Sequence, residues 1–342
     1  MKVSTLSFPS VFEPSYGNTE NTANDLISGI KVRNNNLWYV IGELAKKDGL
    51  NPQRIINSSP DERDYELLFK AALLNLMDKV EQPLTLTMGL PFSTFNIYKQ
   101  PLSKFLEKKF FSVEYNTETF TLNGTSRRSN FEIGQFDIIP ELVGGVIGVK
   151  KMYSSQQPKN FIVISLGYGT AEGGMATEDG LVQRTCFSVH GIRYVVNNLQ
   201  RELNKLHYLE LKNEFQINDS LMKGVMIANR KKIELRELRK DILGQYYRQV
   251  ISPSIKNHIT DRDFERCECI YLIGGGVYYD DLRDAFYEEF KDFMKVEAVI
   301  DSQNVASIGY LYNSYSLSST HSRGCVGIDL GNSSTIISYF SA

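Results

Sequence analysis

Apolar and polar residues alternate through "VSTLSFPSVF", Val3 to Phe12, with the period of two expected of a strand. A second strand lies within "LWYVIGELA", Leu37 to Ala45, and the polar stretch Arg33 to Asn36 before it reads as a turn. The period then changes. In "SSPDERDYELLFKAALLNLM" the apolar positions Leu67, Leu68, Ala71, Leu74 and Met77 recur at helical spacing. Ser59 is placed as N-cap, Pro60 at the first helical position and Glu62 as the closing member of a capping box, so an amphipathic helix is expected from there. "PLTLTMGLP", Pro83 to Pro91, is a strand ended by Gly and Pro, and a helix is expected from Lys99 to Lys108. Turn-rich, β-prone sequence leads to "FDIIPELVGGVIGVKKMY", a short strand entering a helix at Pro140, and the polar "SSQQPKN", Ser154 to Asn160, fits a hinge.

The second half gives "NFIVISLGYGTAEGGMATEDGLVQRTCFSVHG": an apolar strand, a Gly-rich turn, a returning strand, an Asp179-Gly180 hairpin turn and a third strand. A helix is expected from Ile192 to about Leu211 and a charged helix from about Asn229 to Ser252. "CIYLIGGGVYYDDLRDAFYEEF" then reads as a buried strand, a triple glycine (Gly274, Gly275, Gly276) and a helix. The chain closes on "GCVGIDLGNSSTIISYFSA", with strands at Cys325 to Leu330 and Thr335 to Phe340. Strands and helices alternate throughout, so the class is α/β. A strand, an x-Leu-Gly-x-x-Thr turn and a strand occur twice, at Ser165 to Thr170 and, with one more residue, at Asp329 to Thr335. Two phosphate-type hairpins imply a nucleotide cleft between two related lobes.

At 342 residues the chain exceeds the size at which one core stops growing, so two lobes are expected: 1–153 with 296–342, and 154–295. Lys and Arg number 38 against 40 for Asp and Glu, which leaves no global basic field for direct nucleic-acid binding. Any DNA contact would need a local patch or a DNA-binding adaptor. The four cysteines, Cys186, Cys267, Cys269 and Cys325, lack metal-ligand spacing and read as reduced core thiols. His190, His207, His258 and His321 are scattered. No apolar run approaches the roughly 18 residues of a membrane span, and "MKVSTLSFPS" has no signal-peptide core. No membrane contact and a cytoplasmic location are the expectation.

The set "IDLGNSST", "PELVGG", "ISLGYGT", "YLIGGGVYYDDL" and "DSQNVASIGYLY" resembles the nucleotide-site motifs of the actin, heat-shock-chaperone and sugar-kinase superfamily. With "TMGLP", it is most similar to bacterial and archaeal actins of the plasmid-segregation (ParM-like) type. The resemblance implies a two-lobed actin-like fold built on ribonuclease-H-like repeats. The motif order departs from it. In such proteins the "DLGNSST" hairpin comes first, whereas here it follows the second connecting helix, so the resemblance implies a circularly permuted chain. "SLSSTHSRG", Ser316 to Gly324, would then be a solvated joining segment, and Val3 to Phe12 would neighbour the closing hairpin in one sheet.

A triphosphate needs backbone N–H donors that approach closely. Gly331 with Asn332, Ser333 and Ser334 offers them in one turn and Gly167, Tyr168 and Gly169 in the other, with hydroxyls at Ser333, Ser334, Thr335 and Thr170. Asp329, at a strand end, is where a carboxylate would hold magnesium through water; alone it would be a turn aspartate. Glu141 alone would be an N-terminal dipole partner. The resemblance implies instead that it orients the attacking water. Where the resemblance expects an aspartate in the second turn this chain has Ser165, which brings no charge; the nearest carboxylate is Glu172. Gly274 to Gly276 would admit an adenine and ribose, and Lys231 or Lys232 could contact the base. The ATP or GTP choice is not legible. The resemblance thus implies a slow nucleotide-dependent filament protein with Mg, self-assembling, acting in plasmid or DNA segregation or in intracellular positioning. The alternatives are a non-polymerising regulatory ATPase and a small-molecule kinase.

Overall fold

The computed structural model describes residues 2–54, 59–60, 62–153, 159–207, 214–318 and 322–341. It divides into two compact units: Met1–Gly148 with Ala306–Ala342, and Val149–Val305. Most of the polar hinge expected at Ser154 to Asn160, and the middle of the joining segment with His321, lie outside the described residues.

In the first unit the chain runs through β1 (Lys2–Pro9), β2 (Val11–Pro14), β3 (Lys31–Asn34), β4 (Leu37–Ile41), α1 (Glu43–Asp48) and β5 (Gln53–Arg54). It continues through α2 (Arg63–Asn75), β6 (Leu84–Leu90), α3 (Phe95–Leu106), β7 (Phe110–Asn116), β8 (Ser126–Pro140) and α4 (Glu141–Met152). The second unit holds β9 (Phe161–Leu166), β10 (Thr170–Thr177), β11 (Gly180–Leu181), β12 (Phe187–His190), α5 (Ile192–His207), α6 (Glu214–Lys223), β13 (Val225–Ala228) and β14 (Lys231–Glu234). Then follow α7 (Arg236–Tyr246), α8 (Ser252–His258), α9 (Asp261–Phe264), β15 (Cys269–Ile273), α10 (Asp280–Phe290) and β16 (Lys295–Ala298). Helix α11 (Val305–Leu317) returns the chain to the first unit, which ends with β17 (Cys325–Leu330) and β18 (Ser334–Ser341).

The first unit is organised on a ten-stranded sheet in the order β1-β18-β17-β6-β8-β7-β3-β4-β2-β5. The closing hairpin pairs as expected. β18 lies antiparallel between β17 and β1, with Lys2 opposite Ser341 and Pro9 opposite Ser334. The second sheet runs β11-β10-β9-β15-β16, with β12 also on β10. Each sheet therefore contains an antiparallel meander continued by two parallel strands: β1–β18–β17–β6–β8 in one, β12–β10–β9–β15–β16 in the other. In the second unit the hairpin comes first in chain order. In the first unit the same hairpin comes last.

Several local expectations need correction, each for a visible reason. The strand expected from Val3 to Phe12 breaks at Ser10, whose N–H makes the last contact in β1–β18 register, to the Ser333 carbonyl (3.0 Å), before β2 leaves to pair with β4 and β5. α2 starts at Arg63, because the Ser59 carbonyl is used in a turn with the Glu62 N–H (3.0 Å) and Glu62 remains extended, so Ser59 caps no helix. α3 starts at Phe95 and runs through Pro101, earlier than expected. The short strand before Pro140 is the end of a 15-residue strand whose polar first part is exposed; up to Glu132 it pairs with β7, and from Ile133 it pairs with β6. The charged helix expected from Asn229 begins only at Arg236. Asn229 and Arg230 adopt left-handed backbone (φ 49 and 61) and form the two-residue turn of the β13–β14 hairpin.

Packing follows the periodicities. Leu67, Leu68, Ala71 and Leu74 of α2 are buried in the first core, where Phe69, Phe105 and Phe111 meet at ring-centroid distances of 5.1 to 5.3 Å. The second core collects α5, α7 and α10 residues against β9 and β15.

Asp263 on α9 is fully buried, accepts the Thr260 N–H (3.0 Å) and is clasped by both Arg184 amino groups, one at 2.8 Å. Chiefly through Arg184, its carboxyl is held well below the usual range. A depressed acid stabilises the fold above its unfolded pKa, about 3.9, and loses that contribution as pH falls through the folded value. Arg184→Ala is therefore expected to lower the urea midpoint at pH 7, with the difference from the parent shrinking steadily below about pH 4. A gap that stays constant into acid would contradict the clasp.

Candidate functional site

Strands β17, β6 and β8 are mutually parallel, so their carboxyl ends emerge on one edge of the first sheet. Open α/β sheets place ligands at that edge. Asp329 is the penultimate residue of β17, and Glu141 is the first residue of α4, directly after β8. The first phosphate-type turn is closed by the Gly331 N–H on the Ser334 carbonyl (3.1 Å). Gly331, Asn332, Ser333 and Ser334 are half-buried, whereas Thr335 is fully buried with its hydroxyl 3.0 Å from the Ser10 hydroxyl, so it faces the sheet.

Asp329 is partly exposed, but the protein packed around it withdraws its carboxyl from water and pushes it up to about 7. Tyr65, buried in the first turn of α2, was not signalled by the sequence. Its hydroxyl is pushed up first by burial, then by the charges of Asp329 and of Glu141, which puts both carboxylates within electrostatic reach of one phenol.

In the second unit the turn after β9 is held from behind. The carbonyls of Gly167, Tyr168 and Gly169 accept the backbone N–H groups of Ile192 (3.1 Å), Arg193 (2.9 Å) and Gly191 (3.0 Å). A Cβ at Gly191 would stand 2.5 Å from the Gly167 carbonyl oxygen, so only glycine permits this approach. Gly274 has a left-handed backbone (φ +89), its N–H donates to the Ser302 carbonyl (2.8 Å), and a Cβ there would lie 2.7 Å from the Leu166 carbonyl oxygen. Gly276 stands equally close to the Leu166 side chain, while Gly275 faces open space. The triple glycine and the second phosphate-type turn are thus in direct contact.

Ser165 is half-buried and lies opposite Glu172 on β10, which in turn lies opposite Ser188 on β12. Directly opposed residues share a sheet face. Glu172 is buried and accepts a hydrogen bond from the Ser188 hydroxyl (3.0 Å). Thr170 begins β10. Lys231 and Lys232 stand on exposed β14, where Lys232 pairs with Glu234 (2.6 Å).

The residues present suit a magnesium nucleotide. Among the described residues no group of three or more His, Cys, Asp and Glu could hold a metal ion, and magnesium is commonly held by one or two carboxylates with substrate phosphates and water. Asp329, a partly exposed carboxylate just before the Gly331 turn, is the residue that would fill that place. The cysteines are free and buried; burial pushes the Cys186 and Cys267 thiols up to about 11 and Cys269 up to about 12, consistent with inert core thiols. Among the described residues no helix is long and apolar enough to cross a membrane.

The sheets and helices define an actin-like fold. Residues 2–144 match the family model described as the N-terminal domain of actin-like proteins. The chain is similar to the crystal structure of Ta0583, an archaeal actin homolog, at 17% identity and TM-score 0.70, covering 91% of this chain and 92% of that one. The same homolog in complex with ADP matches at 17% identity and TM-score 0.63, with the same coverage. A 15-stranded ParM filament from Clostridium botulinum matches at 18% identity and TM-score 0.70, covering 90% of this chain and 92% of that chain. At these identities the likeness establishes the fold. A search of the curated proteins finds no match.

Proposed function

We propose that this chain binds a nucleoside triphosphate with magnesium through its two phosphate-type turns, hydrolyses it slowly, and assembles with copies of itself into a filament. The observation that carries the reading is Asp329 beside a glycine turn at the carboxyl edge of three parallel strands, with Glu141 on the same edge. ADP in the archaeal homolog and the filament of the clostridial ParM support nucleotide use and self-association. Glu141 orients the lytic water, and Ser165 leaves hydrolysis without a second fixed charge at that position. DNA or plasmid positioning through an adaptor in the cytoplasm is the role this chemistry fits. Sedimentation and light scattering with ATP or GTP, each with and without magnesium, test the reading; no nucleotide-dependent polymer under any condition would remove the filament, and phosphate transfer to a small acceptor would favour a kinase.

Replacing Asp329 by Ala is expected to weaken magnesium-nucleotide affinity by at least an order of magnitude, as loss of a charged contact does, while binding without magnesium changes little. Calorimetric titration in magnesium and in EDTA distinguishes the two. Equal loss in both conditions would place the metal elsewhere.

We also infer that the element order is circularly permuted. The two units carry the same strand arrangement, but the hairpin that opens the series in the second unit closes it in the first. The adjacency of Lys2 and Ser341 in the sheet supports this reading.

A further inference from the structure

Tyr168 stands at the centre of the second phosphate-type turn and is gripped at both ends, its backbone by α5 and its hydroxyl by α6. Its carbonyl accepts the Arg193 N–H (2.9 Å), and its hydroxyl donates to Glu214 Oε1 (2.6 Å). The other Glu214 oxygen accepts from Arg193 Nη2 (3.1 Å). The contacts close a ring: turn backbone to the start of α5, α5 side chain to the first residue of α6, and α6 back to the turn side chain. Gly191, adjoining α5, completes the backing and tolerates no side chain. A glycine-flanked turn is intrinsically free to move. A turn already ordered loses less entropy when its ligand arrives, so an anchor of this kind raises affinity without touching the ligand. The anchor also contains a carboxylate, which by itself would repel a polyphosphate; the partly exposed Arg193 beside it offsets that charge.

We propose that Tyr168, Glu214 and Arg193 are positioning residues that set the second turn for the phosphate chain of a nucleoside triphosphate. This rests on the nucleotide reading above. The hydrogen bond from the Tyr168 hydroxyl to Glu214 is the step that matters. Its loss leaves the turn backed by α5 but unanchored at its tip.

The test is calorimetric affinity for MgATP and MgGTP, with thermal unfolding in the absence of nucleotide, for the parent, Tyr168→Phe, Glu214→Ala, Glu214→Gln and the Tyr168→Phe/Glu214→Ala double variant. Tyr168→Phe and Glu214→Ala are each expected to weaken binding on the order of tenfold, the effect of a hydrogen bond to a charged group. The double variant is expected to be no weaker than Glu214→Ala, because both changes remove one contact. Glu214→Gln keeps an acceptor for the hydroxyl and removes the negative charge, so its affinity stays at or above the parent's. A merely structural role would instead weaken Gln and Ala variants in step with their unfolding temperatures. Parental affinity in Tyr168→Phe, or additive losses in the double variant, overturns the cluster alone. A parent that binds neither nucleotide overturns the nucleotide reading, and the cluster with it.

Discussion

Glu141→Ala is expected to hydrolyse nucleotide 10² to 10⁴ times more slowly than the parent, the usual range for removing a positioned general base or water-orienting group. The size follows from what else is present. Glu141 opens α4 at the carboxyl end of β8, on the sheet edge that carries Asp329, and Tyr65 responds to the charge of both. Asp329 is committed to the metal in this reading, and Ser165 brings no charge. Binding should change far less, since both turns and Asp329 remain, so the variant should still assemble and its polymer should persist longer. Single-turnover hydrolysis beside sedimentation reads both quantities. Parental hydrolysis in Glu141→Ala would transfer the role elsewhere, and Glu172 is the first residue to examine because it shares the sheet face of Ser165.

The second large effect is on stability. In α11 a Cβ at Gly309 would sit 1.8 Å from the carbonyl oxygen of Gly144 on α4, and a Cβ at Gly327 of β17 would sit 2.2 Å from the Ser307 carbonyl oxygen. The helices touch through backbone, and a backbone cannot rotate aside as a flexible side chain does. Tyr310 fills the space left by Gly144 and by one further glycine, Gly89, its ring standing 2.1 Å from an ideal Cβ on Gly144 and its hydroxyl oxygen 1.7 Å from one on Gly89. Overpacking of well-packed cores costs about 1–3 kcal/mol, and more where the backbone must shift. Gly309→Ala is accordingly expected to cost roughly 3 kcal/mol or more, beyond its gain in helix propensity, and to lower Tm by roughly 6–12 °C. Circular dichroism melting measures it, with Gly17→Ala as control because nothing lies within 4 Å of that Cβ position. An unchanged Tm for Gly309→Ala would mean that the helices separate without cost.

Much of the fold was legible because periodicity and turn chemistry are local. The apolar runs Cys325–Leu330 and Cys269–Ile273 are strands over the same residues in the structure, and the triple glycine follows its strand where composition places it; the hairpin turn expected at Asp179-Gly180 lies one residue earlier, on Glu178 and Asp179, because Gly180 already pairs with Thr177. The failures share another cause. Arg236 rather than Asn229 opens the charged helix because Asn229 and Arg230 take left-handed backbone to close a hairpin, and a run of charged residues has no periodicity that distinguishes the two. β8 was underestimated because its first half is polar and exposed, its pairing being supplied by β7.

The sequence by itself determined the α/β class, the two glycine turns, the triple glycine and the candidacy of Asp329, since each is a short-range statement about which residue types a backbone or a ligand demands; Glu141 became a candidate only through the resemblance of its motif. Only the tertiary structure decided which of them meet. Parallel pairing brought Asp329 and Glu141 to one sheet edge from positions far apart in the chain. Cross-strand register put Glu172 opposite Ser165, and helix packing set Arg193 and Glu214 on Tyr168. These contacts depend on register and packing between segments distant in sequence, for which no local pattern carries information.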